Sequence, residues 1–266
     1  MVFVVTCEHG SGEVPEWLRD SFASAGFGAS SGVDSAVTDG TSGETGVSAD
    51  CDPGALAAAT HFAKTLRCPL IAAKYSPSVI DVNRSLGQRG LFSPLTKALP
   101  KRVRERIINE IHRPYREEVE AALERAIRQD QLVIHLSVHS FATFEATQVN
   151  AEAEDRAQFA RRTDLGLLYD PGREYELALC LDWYEDLYYA LPMLRVRRNY
   201  PRRGVSENLI SQFRRKYSSD SYIGVELQLN RAWCVRDVPV RKKVFSGIAK
   251  SLLRLLDAAK QDQEAA

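Results

Sequence analysis

The sequence predicts an α/β fold with a mostly parallel or mixed sheet covered by helices on both sides. Short β-rich runs alternate with helical segments along the 266 residues, which is typical of this fold class. Residues 132–141 form an apolar run too short for a long helix, which indicates a strand buried on both faces in the middle of the sheet. Histidines lie at the ends of two such runs, where open α/β sheets gather ligands.

The remaining elements follow from the same patterns, and no linker divides the chain, so we expect a single domain over residues 1–266. The other predicted strands are 2–7, 69–75, 164–171 and 222–230. A helical turn is expected at 17–22, and helices at 55–66, 96–129 (in pieces divided by Pro100 and Pro114), 174–190, 208–217 and 243–260. Asp52 is expected to cap the helix at 55–66, with Pro53 at its first position. The polar segments 23–52 and 145–162 are predicted to be a loop and an insertion.

Composition indicates a small-molecule partner. Lys plus Arg and Asp plus Glu are equal at 35 each, so no net charge favours nucleic acid or an anionic membrane. No apolar run is long enough to span a bilayer and no signal peptide is recognisable, which predicts a cytoplasmic protein. The five cysteines form no CxxC pair, which argues against a disulfide framework or a structural zinc site. The oligomeric state is left open.

Two histidines are the first candidates for a functional site. His139 lies at the exit of the 132–141 strand, and His9 follows the strand 2–7 at a glycine-containing turn. His135 lies inside the apolar run and is interpreted as a core histidine. Glu226 interrupts the apolar strand 222–230 and points away from its apolar face, so we expect it to serve a metal or a proton transfer.

A polar group follows the second predicted strand. Asp81, Asn83 and Arg84 lie close together in the segment Ser78–Ser85. A guanidinium held by neighbouring Asp and Asn suits bidentate capture of a substrate carboxylate. A surface ion pair is an equally good interpretation of this motif taken alone.

Several motifs together carry a resemblance to a known family. They are Cys7-Glu-His-Gly, Asp52-Pro-Gly-Ala, Asp81-Val-Asn-Arg-Ser, Leu136-Ser-Val-His-Ser-Phe, Asp164-Leu-Gly-Leu-Leu-Tyr-Asp-Pro, Arg198-Asn-Tyr-Pro and Gly224-Val-Glu-Leu. In order and rough spacing the chain, up to about Trp233, resembles the N-formylglutamate amidohydrolase family, which is related to zinc carboxypeptidases and aspartoacylase. The resemblance implies a three-layer α/β/α sandwich of the phosphorylase/hydrolase-like, zinc carboxypeptidase-like type. It also implies metal-dependent hydrolysis of the amide bond of an N-acyl amino acid such as N-formylglutamate.

The chemistry of amide hydrolysis assigns roles to these residues. Zinc held by three protein ligands lowers the pKa of bound water to about 7. We expect one Zn²⁺ per chain, bound by His9, His139 and a carboxylate. Glu226 is expected to move the proton from the water to the leaving amine. Arg84, supported by Asn83 and Asp81, is expected to hold the substrate carboxylate.

Some positions stay open. A further arginine, Arg197 or Arg198, is a candidate to steady the oxyanion or a second carboxylate. The related zinc enzymes carry HxxE, whereas here the third residue after His9 is Gly12 and the glutamate is Glu13. The third ligand is therefore Glu13 or Asp52. The segment Gly204–Asn208 also departs from the family pattern, which leaves the substrate open.

Two other functions remain possible at this point. A non-catalytic relative would have kept the pocket and lost the metal or the activity. Alternatively, Cys7 would be a nucleophile with His9 or His139 as its base.

Overall fold

A mixed sheet forms the centre of the fold. The structure, a computed structural model, describes residues 1–23, 51–129, 131–142 and 163–265. Within these ranges six strands lie in the order β2-β1-β3-β6-β4-β5. They are β1 (Val2–Cys7), β2 (Leu70–Ala72), β3 (Val133–Phe141), β4 (Leu165–Leu168), β5 (Val196–Arg198) and β6 (Tyr222–Asn230). Strands β2, β1, β3 and β6 are parallel, β4 is antiparallel to β6, and β5 is parallel to β4.

The helices cover both sides of the sheet. They are α1 (Arg19–Ala23), α2 (Ala55–Leu66), α3 (Pro94–Lys97), α4 (Lys101–Ile107), α5 (Arg113–Ile127), α6 (Glu174–Ala190), α7 (Leu209–Lys216), α8 (Arg231–Cys234) and α9 (Val238–Ala265). A 3-10 turn (Glu16–Leu18) precedes α1, and a π-helical turn (Ile108–His112) joins α4 to α5. This arrangement confirms the predicted α/β fold. None of the helices in the described parts of the chain has the length and apolar character needed to span a bilayer.

Alternation along the strands gives the sheet two different faces. One face is apolar and packs on α2, α6 and α9; it carries Phe3, Val5, Ile134, Leu136, Val138, Val225, Leu227 and Leu229. The opposite face lies under α5 and α7. On that face Thr6, Ser137 and Glu226 lie side by side, because the registers of β1, β3 and β6 align them. The central strands therefore carry a buried polar row towards their carboxyl ends.

The start of α2 differs from the sequence prediction. The helix covers Ala55–Leu66 as expected, but its N-cap is Gly54, which has φ of 79° and gives no side-chain cap. Pro53 precedes the helix, so its predicted place at the first helical position is wrong. The carboxylate of Asp52 faces His139 at the sheet edge, so its predicted capping role is wrong too.

The other boundaries agree in part. Helix α6 has the predicted bounds, α7 begins after Asn208, and α9 is longer than expected because it starts at Val238. Pro100 separates α3 from α4 as predicted, whereas Pro114 lies in the first turn of α5 and does not break the helical segment. Residues 24–50 of the predicted loop and the whole predicted insertion at 145–162 lie outside the described residues.

Candidate functional site

Two adjacent parallel strands bring the histidines together. His139 lies two residues before the end of β3, and His9 lies two residues after the end of β1. Because β1 and β3 are paired in parallel, both histidines come to the same edge of the sheet. Their ring centroids are 4.9 Å apart, and the rings meet edge to face at 73°.

A third residue, Asp52, completes a group that offers metal ligands. Its Oδ2 lies 2.7 Å from Nδ1 of His139 and 3.6 Å from Nδ1 of His9. One possible ligand atom from each of these three residues lies within 4.8 Å of the other two. His139 is buried, while His9 and Asp52 keep 19% and 16% of their side-chain surface exposed. The group is therefore partly open to solvent through His9 and Asp52.

The outer nitrogen of each imidazole has its own carboxylate. Nε2 of His9 lies 2.8 Å from Oδ1 of Asp81. Nε2 of His139 lies 3.2 Å from Oε2 of Glu8, a fully buried side chain. A carboxylate on the outer nitrogen fixes the ring orientation and favours a proton there, which leaves Nδ1 free to act as a ligand.

The charges of this group are tightly coupled. Burial lowers the pKa of His9, but hydrogen bonds with Asp52 and Asp81 outweigh it and raise that pKa to about 9. Burial likewise lowers the pKa of His139, but Glu226, Asp52 and Glu8 raise it well above its usual value. The pKa of Asp52 is lowered, because its hydrogen bonds to both imidazoles outweigh its burial. The protonated, positively charged forms of the two imidazoles are therefore favoured between these carboxylates.

This donor set fits a divalent cation. Two imidazole nitrogens and one carboxylate oxygen are a ligand set that zinc accepts, with a further coordination position left for water or substrate. With neutral imidazoles, Glu8, Asp52 and Asp81 would leave three negative charges around the group. A divalent ion supplies positive charge that protons otherwise have to provide.

Glu226 lies on the same face of the sheet and is held by several donors. It pairs with Ser137 in the β3–β6 register, one alternation before His139. Its carboxylate is buried, and its charge contributes to the raised pKa of His139. Nη2 of Arg202 lies 2.6 Å from each of its two oxygens, and Nδ2 of Asn208 donates to Oε2 over 2.9 Å. The amide of Gln228 also donates to Oε1.

Comparison with known proteins agrees with this fold. A family model described as N-formylglutamate amidohydrolase matches residues 1–233. The chain belongs to this family. Membership of the N-formylglutamate amidohydrolase family makes it an amidohydrolase.

Two solved structures are similar to this N-formylglutamate amidohydrolase family member. The gene product Atu2144 of Agrobacterium tumefaciens has 17% sequence identity and a TM-score of 0.70, over 97% of this chain and 91% of that chain. An N-formylglutamate amidohydrolase from Ralstonia eutropha JMP134 has 16% identity and a TM-score of 0.60, over 98% of this chain and 94% of that one. These likenesses confirm the fold. Among curated protein sequences, no match was found.

In this member of the N-formylglutamate amidohydrolase family, Asp52 and not Glu13 joins the two histidines. The side chain of Glu13 is exposed, and the group of possible ligands found in the described residues does not include it. The backbone of Glu13 accepts a hydrogen bond from the amide of Ser76, which fixes the turn after His9. Of the two carboxylates that the sequence left open, the geometry favours Asp52.

The Asp81–Arg84 motif lies against the histidine group. Oδ2 of Asp81 accepts from Nε of Arg84 over 2.9 Å, while its Oδ1 faces His9. Asn83 places its amide nitrogen 3.4 Å from Nε2 of His139, and its Oδ1 accepts from the amide of Leu209. Arg84 keeps 44% of its side chain exposed and so remains accessible to a substrate. Asp81 and Asn83 are engaged with the protein itself.

Arg197 and Arg198 lie on the edge strand β5. The guanidinium of Arg197 lies 5.6 Å from the ring centroid of Tyr200, and that of Arg198 lies 5.5 Å from the ring centroid of Tyr184 on α6. The arginine that contacts the buried carboxylate Glu226 is Arg202. Arg197 and Arg198 thus contact aromatic rings, and the role predicted for one of them stays a prediction.

Sequence reasoning missed Glu8, Arg202 and Asn208. The position of Glu8 could have been predicted from the sequence. It lies two residues after Thr6, so alternation puts both side chains on the polar face of the sheet. No comparable signal marked Arg202, which belongs to a turn whose path depends on tertiary contacts. Asn208 was named only as the start of a predicted helix and as the end of the segment Gly204–Asn208, with no contact to Glu226 expected.

The structure also argues against Cys7 as a nucleophile. Its thiol is fully buried in the apolar cluster on the opposite face of β1. Burial, followed by the charges of Glu8 and Asp52, raises its pKa well above the ordinary value. A thiol in this environment stays protonated and is a poor nucleophile.

Proposed function

We propose that this chain hydrolyses the amide bond of an N-acyl amino acid such as N-formylglutamate, with Zn²⁺ held by His9, Asp52 and His139. The observation that carries the proposal is the convergence of these three side chains within 4.8 Å, with a carboxylate behind each imidazole. The family match supports amide hydrolysis, and an N-acyl amino acid is the substrate consistent with that family.

Zinc bound there would supply a water with a pKa of about 7, which attacks the amide carbonyl at neutral pH. Glu226 would accept the proton of that water on a carboxylate oxygen and return it to the leaving amine nitrogen. Its three donors, Arg202, Asn208 and Gln228, fix the orientation of the carboxylate.

Two arginines would recognise the acid group of the substrate. Arg84 is partly exposed and oriented through Nε by Asp81, which leaves its terminal nitrogens directed away from that contact. Arg202 uses Nη2 for Glu226 and keeps 36% of its side chain exposed. A planar guanidinium binds a carboxylate in bidentate fashion, so each arginine offers a position for a substrate carboxylate.

The experiment that tests this function combines metal analysis with a substrate screen. Purified protein is stripped of metal, reloaded with zinc, and assayed against N-formylglutamate and other N-acyl amino acids, with metal content measured on the same sample. We expect about one zinc per chain and hydrolysis only in the loaded protein. Cys7→Ser is the matched variant and should hydrolyse at the parent rate, since its thiol points into the apolar core.

A protein that binds no stoichiometric zinc and releases no amino acid after reloading would contradict the proposal. That result, together with tight binding of an N-acyl amino acid, would favour a non-catalytic binding protein. Loss of turnover in Cys7→Ser with zinc retained would favour the thiol mechanism instead. The predicted cytoplasmic location stays a prediction.

A further inference from the structure

We propose that Glu8 is the positioning residue for His139: it accepts the Nε2 proton and thereby directs Nδ1 towards the metal position. The inference rests on the proposed function, because it concerns the same three ligands. It goes further in that it assigns a role to a carboxylate that neither contacts the substrate nor binds the ion.

The surroundings of Glu8 are built to hold an anion. Its side chain has no exposed surface, and arginine and lysine side chains make no hydrogen bond or ion pair with it in the described part of the chain. The hydroxyl of Ser137 donates to Oε2 over 2.7 Å, and that of Tyr115 donates to Oε1 over 3.1 Å. A buried carboxylate without such donors would be strongly disfavoured. Neutral hydroxyls and one imidazole therefore stabilise this charge.

A chain of hydrogen bonds along the polar sheet face leads to the same carboxylate. Thr6 is a further hydrogen-bond partner of Glu8, and its Oγ1 also lies 2.9 Å from Nε2 of His135. A hydroxyl has a single proton, so a Thr6 that donates to Glu8 accepts from Nε2 of His135. Nδ1 of His135 then accepts from the hydroxyl of Tyr222, 2.8 Å away. In that arrangement the donors of this chain are directed towards Glu8.

The groups around Nε2 of His139 bear on which ring nitrogen of this histidine carries the proton. Nε2 of His139 lies 3.2 Å from Oε2 of Glu8 and 3.1 Å from Oγ of Ser137, whose proton already goes to Glu8. These two neighbours can only accept a proton from Nε2, whereas the donor amide nitrogen of Asn83 is farther away, at 3.4 Å. The two shorter contacts therefore favour the proton of a neutral His139 on Nε2, which leaves the lone pair of Nδ1 facing Asp52 across 2.7 Å. The tautomer required for metal binding through Nδ1 is thus favoured by the protein's own contacts.

Glu8→Gln is the variant that tests this role. The amide keeps the shape of the side chain but has one acceptor oxygen in place of two, and its NH₂ group opposes a donor. We expect zinc affinity, measured by competition with a chelator, to fall about 10- to 100-fold, which is the usual effect of losing such a partner. Near-ultraviolet circular dichroism and urea unfolding report on the fold of the same sample.

Glu176→Gln is the matched control. Glu176 is equally buried, but it is paired with Arg214 and lies near Arg173, away from the histidine group. Its substitution should lower stability and leave zinc affinity unchanged. Equal zinc affinities of Glu8→Gln and the parent protein would overturn the inference, whereas a parent protein that binds no zinc would contradict the proposed function itself.

A second measurement needs no variant and remains decisive if Glu8→Gln fails to fold. Long-range ¹H–¹⁵N spectra of the zinc-loaded parent protein show which ring nitrogen of each histidine carries a proton. We expect the proton of His139 on Nε2 and that of His135 also on Nε2. A proton on Nδ1 of His139, with the metal on Nε2, would overturn the role of Glu8.

Discussion

Nδ1 of His139 lies 2.7 Å from Oδ2 of Asp52, although 87 positions separate the two residues in the chain. The contact joins the end of a central strand to the segment that leads into α2. It turns a pair of histidines into a group of three possible ligands, and it places the third ligand before a helix, where an N-cap was expected.

Removal of Asp52 should therefore abolish metal binding. In Asp52→Ala only two ligands remain, and we expect zinc affinity to fall by at least about 100-fold, measured by chelator competition. His139→Ala should lose zinc as well. Glu13→Ala is the matched control, because Glu13 is exposed and absent from the group, and it should bind zinc like the parent. A loss of zinc in Glu13→Ala, with Asp52→Ala unaffected, would reverse the assignment of the third ligand.

Glu226→Ala should separate metal binding from turnover. Since Glu226 is not among the three possible ligands, the variant should keep its zinc. The rate of hydrolysis should fall about 10²- to 10⁴-fold, the usual contribution of a general acid–base group. Metal content and kcat are measured on the same preparation. If Glu226→Ala turns over substrate at the parent rate, the role assigned to this carboxylate is wrong.

Arg84→Ala should weaken substrate binding. A charge-assisted hydrogen bond contributes about 1.5–3 kcal/mol, so kcat/KM should fall about 10- to 150-fold, mainly through KM. Arg198→Ala serves as the control, because its guanidinium lies over the ring of Tyr184 on α6. Metal content is checked in parallel, since Arg84 shares Asp81 with His9. Equal effects of the two variants would refute a specific role for Arg84.

Acid should destabilise the fold through His135. Burial lowers the pKa of His135 to about 4, whereas in the unfolded chain it is about 6.5. Below pH 6.5 the unfolded state binds the proton and the folded state does not, so this group lowers the free energy of unfolding as the pH falls from 6.5 towards 4. The loss amounts to about 2 kcal/mol at pH 5.

The measurement is urea unfolding of the parent and of His135→Gln between pH 8 and pH 5. The variant is expected to be less stable at pH 8, because its contacts with Thr6 and Tyr222 change. The stability difference between the two proteins should shrink towards pH 5, since only the parent has this histidine to protonate. A difference that is constant over this range would show that His135 does not titrate as described.

Much of the fold was predictable because its signals are local. The apolar runs at β1, β3 and β6 have strand length, and their alternation placed Glu226 opposite the apolar residues of its strand. Helix α6 was predicted with its observed bounds. Strands β2 and β4 were predicted too long, because the sequence shows where apolar residues lie but not where a neighbouring strand ends its hydrogen bonding.

The site was predictable only in part. His9 and His139 could be assigned to one edge of the sheet because they end strands, and the resemblance to the family pointed to the same residues. The sequence could not decide between Glu13 and Asp52, because both are carboxylates in predicted turns or loops and the sequence does not show which of them faces the histidines. The place of Arg202 beside Glu226 could not be predicted, because it depends on how the segment after β5 folds back over β6.

The sequence by itself determined the class of fold, the two imidazoles and the family, because strand length, period-two alternation and motif order are properties of short segments. Only the tertiary structure decided which carboxylates face those imidazoles. Asp52, Asp81 and Glu8 reach them from three separate segments. Their positions depend on how α2 and the turn after β2 pack around the sheet, and that packing is a property of the whole chain.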